Sequence, residues 1–239
     1  MPAFGTSLGL SFAALLPAGA VDGPIAAPVR TVLAKCLLAN PAAAPLQFRL
    51  QRVELEPGRT LSAPEEESML YVLPGGPLAV VAGGTRTQVA PGDALRLAGG
   101  SAAKLEAGDS RMASFLRIGL GSPGAPFPGG TGITELFRTT DPLPGLGAGP
   151  LTFDLTRVTF PPHMPANPPH HRTGNALYFV LWGAGEFTSQ GKAQPRPPGT
   201  CHFEPSGMVH QWANPGDEPL VLLVANVTRE GTPALAFEN

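Results

Sequence analysis

Five histidines carry the chemical signal of this 239-residue chain: His163, His170, His171, His202 and His210. All lie in the last third. Neutral imidazole nitrogens are ready donors to a divalent transition metal, at about 2.0–2.2 Å, with open positions left for water or substrate. His210 follows a Pro205-x-Gly207 turn and opens a strand-like stretch. His170 and His171 close a Pro-rich loop ahead of the apolar run LYFVLWG. Adjacent residues on a regular strand face opposite ways. One of His170 and His171 can therefore enter an interior, or both where the backbone is irregular, which Pro168 and Pro169 allow. His163, in the segment PPHMP, is the further candidate. The candidate metal ligands are His170, His171, His210 and His163, the alternatives being a turn-capping or core histidine at 210 and a solvent-exposed loop histidine at 163. Zn, Fe, Ni, Mn and Cu are all compatible with such donors. His202 shares the face of Glu204 and reads as a surface or supporting residue. Trp212 and Asn214 alternate onto the face of His210, and Tyr178 lies two residues past Ala176. These three are the expected substrate pocket, with plain core packing the alternative for the two aromatics.

Strands must position these groups. In LQFRLQRVELEPG (46–58), Leu46, Phe48 and Leu50 alternate with Gln47, Arg49 and Gln51. A period of two marks a half-buried strand. The stretch recurs as LTFDLTRVTFPP (151–162), offset by 105 residues. MLYVLPGG (69–76) returns as LYFVLWGA at 177–184, and APGDALRLAGG (90–100) as PPGTCHFEPSG at 197–207. Three blocks in one order, with small drifts, indicate an internal duplication. The predicted layout is an N-terminal arm (1–28), a first β unit (29–120), a turn-rich linker (121–132) and a second β unit (133–239). Within the first unit, residues 30–41 read as a strand or a short helix.

Composition narrows the rest. Thirty Gly and 29 Pro sit between apolar runs, as in a β protein of short strands and frequent turns. Charged residues are 14% of the chain, against about 25% in an average domain. A net charge of −2 gives no electrostatic case for nucleic acid or an anionic membrane. Cys36 and Cys201 read as two reduced thiols, one disulfide being the alternative. The N-terminus lacks the positive region of a secretory signal, and LSFAALL is too short to span a bilayer. A cytoplasmic protein is expected. There is no phosphate-binding Gly loop, nucleophile elbow or HExxH.

The second unit resembles the cupins, small jelly-roll β-barrels. PGTCHFEPSGMVHQWAN matches the family's second motif at Pro198, Gly199, Pro205, Gly207, His210 and Asn214. HHRTGNALYFVLWG ends on the glycine of the first motif, Gly183. The resemblance implies an all-β fold of two tandem cupin-type jelly-roll barrels, a bicupin. It also implies a divalent metal in the C-terminal barrel, action on a small organic molecule, and a homodimer. The departures are specific. The family's glutamate ligand falls on Ala176, and its His-x-His pair on His170 with Arg172 or Pro169 with His171. In the first copy the matching positions are Ser68 and Ala103, so that barrel is expected to be structural. Three readings remain open: a metal-dependent enzyme, a small-ligand binder without chemistry, and a structural bicupin.

Overall fold

The computed structural model describes residues 27–39, 45–124 and 129–238. Most of the expected N-terminal arm lies outside the described residues. Among those described there is no helix, and so none that could cross a membrane. The segment that periodicity left undecided is a strand, β1 (Val29–Leu38). The first copy then supplies β2 (Gln47–Leu55), β3 (Thr60–Ser62), β4 (Glu67–Val72), β5 (Leu78–Ala82), β6 (Thr85–Val89), β7 (Ala94–Leu97), β8 (Lys104–Ala107) and β9 (Ala113–Gly121). After β10 (Ile133–Arg138) the second copy repeats them as β11 (Leu151–Phe160), β12 (His170–Arg172), β13 (Asn175–Trp182), β14 (Gly185–Ser189), β15 (Lys192–Arg196), β16 (Cys201–Glu204), β17 (His210–Ala213) and β18 (Leu220–Arg229). β19 (Leu235–Phe237) closes the chain.

The duplication governs topology. One barrel joins a sheet of order β10-β2-β9-β4-β7 to one of order β3-β8-β5-β6. The other joins β1-β11-β18-β13-β16 to β15-β14-β17-β12-β19. Element for element the orders correspond. The outer strands are exchanged: β1 pairs with β11 of the second copy, and β10 pairs with β2 of the first. Sheet membership therefore cuts across the sequence halves 29–120 and 133–239.

Three cores explain the alternation. On β2, Phe48 and Leu50 face the other barrel, where they meet Phe153, Leu155, Leu223 and Val227 in a shared core. Val53 and Leu55, of the opposite parity, line the first barrel's own interior with Phe115 and Leu105. Val158, Tyr178, Trp212 and Leu222 fill the second. Each large side chain fully buried in the shared core contributes about 1.5–3 kcal/mol, so the two barrels stabilise one another. Cys36 and Cys201 are free thiols.

Candidate functional site in the C-terminal barrel

β12 and β17 are short antiparallel strands in which His170 and His210 are direct partners. Directly opposed residues point to one side of a sheet, and the two rings lie with centroids 4.3 Å apart. Both are buried, at 2% and 1% exposure. Each ring is fixed by the carbonyl two residues before it: His170 Nδ1 lies 2.9 Å from Pro168 O, and His210 Nδ1 lies 2.9 Å from Met208 O. A carbonyl can only accept, so each Nδ1 carries the hydrogen and each Nε2 keeps its lone pair. Burial, partly offset by those carbonyls, lowers both pKa values to about 4. The rings are neutral at pH 7.

The charges beside them come from Glu204 and Arg172. Glu204, at the end of β16, is fully buried. Its Oε1 accepts from Trp212 Nε1 at 3.0 Å, and its Oε2 from Arg172 Nε at 3.5 Å. Arg172 also donates to the Tyr178 hydroxyl through Nε at 2.9 Å and through Nη2. Its guanidinium stands 5.1 Å from the Tyr178 ring centroid. Burial pushes the Glu204 carboxyl up while Arg172 pulls it down. Burial likewise raises Tyr178, against the pull of Arg172. His210 Nε2 is 3.1 Å from Glu204 Oε2, but with the hydrogen on Nδ1 it faces the carboxylate as a second acceptor and has no hydrogen-bond partner.

His202, half-buried, borders the same interior. Its ring packs on Phe187 at 3.9 Å between centroids, and Phe187 in turn stacks on His210 at 5.6 Å. Arg196 Nη2 lies 3.1 Å from His202 Nδ1. A guanidinium can only donate, so that nitrogen accepts and Nε2 carries the hydrogen. This Nε2 is also buried without a partner. Burial and Arg196 lower the His202 pKa to about 3.

The structure thus brings together His170, His210, Tyr178 and Trp212, with the last two stacked at 5.4 Å and 20°. The other expected site residues stand elsewhere. Alternation along β12 turns His171 outward, where Nδ1 meets Glu238 Oε1 at 2.7 Å. His163 occupies a left-handed turn (φ 55°), 66% exposed, opposite Asp217. Asn214 is buried but acts as a clamp: Nδ2 donates to Phe160 O, Pro161 O and Glu218 O, and Oδ1 accepts from Gly216 N. Pro169, Ser189, Gly207, Met208, Val209 and His210 border a depression of about 530 Å3.

As arranged, these residues do not fit a resident divalent metal. Among the described residues no three His, Cys, Asp or Glu side chains are set to hold one. Arg172 stands two residues after His170, where a His-x-His pair would place its second imidazole, and already gives Glu204 a positive partner. The donors left are two imidazole nitrogens, where catalytic zinc sites use three protein ligands. Glu204 is the cross-strand partner of Ala176, and in the N-terminal barrel the matching pair is Leu97 and Ser68.

Comparison with known proteins agrees with the architecture. A family model described as "Cupin domain" matches residues 156–226. No curated protein matches. Among solved structures, AerE from Microcystis aeruginosa is 15% identical with a TM-score of 0.54, covering 83% of this chain and 99% of its own. Oxalate decarboxylase from Bacillus subtilis is 16% identical with a TM-score of 0.53, covering 85% and 73%. A salicylate 1,2-dioxygenase from Pseudaminobacter salicylatoxidans is 13% identical with a TM-score of 0.53, covering 82% and 76%. At such identities the likeness is one of fold.

Proposed function

We propose that the chain is a two-barrel cupin, a reading supported by the match of residues 156–226 to a cupin domain, and that its C-terminal barrel binds a small organic molecule. The observation that carries this reading is a pair of unpartnered polar atoms buried in one aromatic-lined interior. His210 Nε2 offers a lone pair and His202 Nε2 a hydrogen. Buried polar groups without partners are costly, and a ligand with both a donor and an acceptor supplies what they lack. Tyr178, Trp212 and Phe187 give such a ligand apolar walls. The Arg172–Glu204 pair fixes the internal charge. Oxalate and salicylate, in the names of two similar structures, set the size class to screen first. The N-terminal barrel supports the site through the shared core. The test is calorimetric titration of the full chain with small organic acids, alcohols and amides. Binding in the wild type that falls at least about tenfold in His210→Ala is expected. A ligand held equally well by His210→Ala and His202→Leu sinks the reading.

A second reading, a metal-dependent cupin, is favoured by one contact. The His210 Nε2 lone pair and Glu204 Oε2 are two acceptors 3.1 Å apart, and a Zn, Fe, Ni, Mn or Cu ion held by His170, His210 and Glu204 would satisfy both once Arg172 moved away. Metal analysis of the purified chain decides it: about one equivalent, lost in His210→Ala, supports a metal site. We also propose a homodimer. The support is the edge strand β1, which leaves Val29 and Val32 exposed, and light scattering tests it.

A further inference from the structure

The N-terminal barrel has no imidazole, but its interior is not inert. On β2 the side chains that share a parity with Val53 are Arg49 and Gln51, exposed by 0% and 1%. On β9 the same face carries Arg117, 2% exposed, directly opposite Gln51. The next positions along that face are Gly119 and Gly121. A Cβ at Gly119 would come 2.8 Å from Glu66 Oε1, and one at Gly121 would come 2.8 Å from the Arg49 guanidinium. The two glycines therefore leave room for charged groups to lie over the strand. Glu66 is 3.7 Å from Arg49 Nη1, and Arg49 Nη2 donates to Ser122 O at 2.7 Å. Arg117 has a neutral partner instead: its Nη2 donates to Gln51 Oε1. Among the described residues no carboxylate lies within 4 Å of it.

A buried guanidinium without a carboxylate in contact is an expensive arrangement. Burial lowers the Arg117 pKa, with Glu66 opposing it from further off, yet arginine does not lose its proton in proteins. No described residue gives the charge a carboxylate in contact, and a small anion from solution would. We propose that the N-terminal barrel is a binding site for a small carboxylate, of formate or acetate size, seated on Arg117 beside Gln51. A planar two-oxygen anion matches the guanidinium fork. Glu66, with 11% of its side chain exposed, marks where the cluster reaches the rim. The inference is independent of the proposed C-terminal site, which shares none of these residues.

The test uses the full chain, exchanged into buffer free of carboxylate. Thermal melts against formate, acetate, phosphate and chloride should show a saturable rise of about 5 °C for formate or acetate. A response to phosphate or chloride equal to that for the carboxylates would overturn the assignment of ligand class. Arg117→Met should lose the response. Gln51→Glu keeps the shape and gives Arg117 a carboxylate of its own. It should melt higher than wild type without added anion and ignore formate, which keeps the question answerable even where Arg117→Met fails to fold. No saturable response in the wild type, or an undiminished one in Gln51→Glu, overturns the proposal.

Discussion

Ala176 and Glu204 are Cα partners across β13 and β16. Their side chains project to one side of the sheet, so the carboxylate missing from one strand is supplied by its neighbour, into the same interior. Glu204 is the negative partner of Arg172. Glu204→Ala leaves that guanidinium buried and uncompensated and should cost about 3–5 kcal/mol, read as a lowered urea midpoint. Adding Ala176→Glu returns the carboxylate from the opposite strand and should recover a large part of the loss. No recovery in the double variant would show that Glu204 acts through something other than its charge.

Arg172→His should turn the site into a metal centre. The change restores a His-x-His pair that begins at His170, and it frees Glu204, giving three imidazoles or two with a carboxylate. The variant should take up about one Zn or Mn per chain, measured by elemental analysis after dialysis. Metal content unchanged from wild type would show that Arg172 is not what bars the ion.

Acid should destabilise the fold. His170 and His210 are held neutral with pKa values of about 4, and His202 with one of about 3. Their unfolded counterparts bind protons near pH 6.5, so the unfolded state takes up more protons below that pH. Stability is full above about pH 6.5 and falls from there toward pH 4 by up to about 1.4 kcal/mol per pH unit for each ring, about 4 for the three together. Urea melts at stepped pH check this, and His210→Phe should flatten the slope.

Both cysteines should be slow to react. Burial raises Cys36 and Cys201 to about 11, with Glu67 adding to the effect on Cys36. The reactive thiolate is then a small fraction at neutral pH. A chromogenic disulfide reagent at pH 7.5 should find little in the native chain and two thiols after unfolding. Rapid native labelling would place one of them in a more open setting.

Cutting the linker should not release two independent barrels. β1 belongs to the sheet of the second copy and β10 to that of the first. A chain starting at residue 45 loses β1 and bares the β11 edge, which invites aggregation. Its melting should show the C-terminal barrel lowered more than the N-terminal one. Hydrogen exchange at Phe153 and Leu155 reads the difference directly.

The sequence by itself determined the duplicated β architecture. Alternation fixes which residues of a strand share a face, and the repeat of Leu46, Phe48 and Leu50 as Leu151, Phe153 and Leu155 carries that pattern twice. It also isolated His210, because a Pro-x-Gly turn starts a strand at a defined parity. It separated His170 from His171 only to the extent that adjacent residues diverge. Which strand lies beside which is set by long-range pairing, and that has no local signature. Only the tertiary structure therefore decided that Glu204 faces Ala176, that Arg172 turns inward onto it, and that β1 and β10 exchange barrels. The same reason hid the Arg117 cluster: parity puts Arg49 and Gln51 on one face, but only the pairing of β2 with β9 sets Gln51 against Arg117.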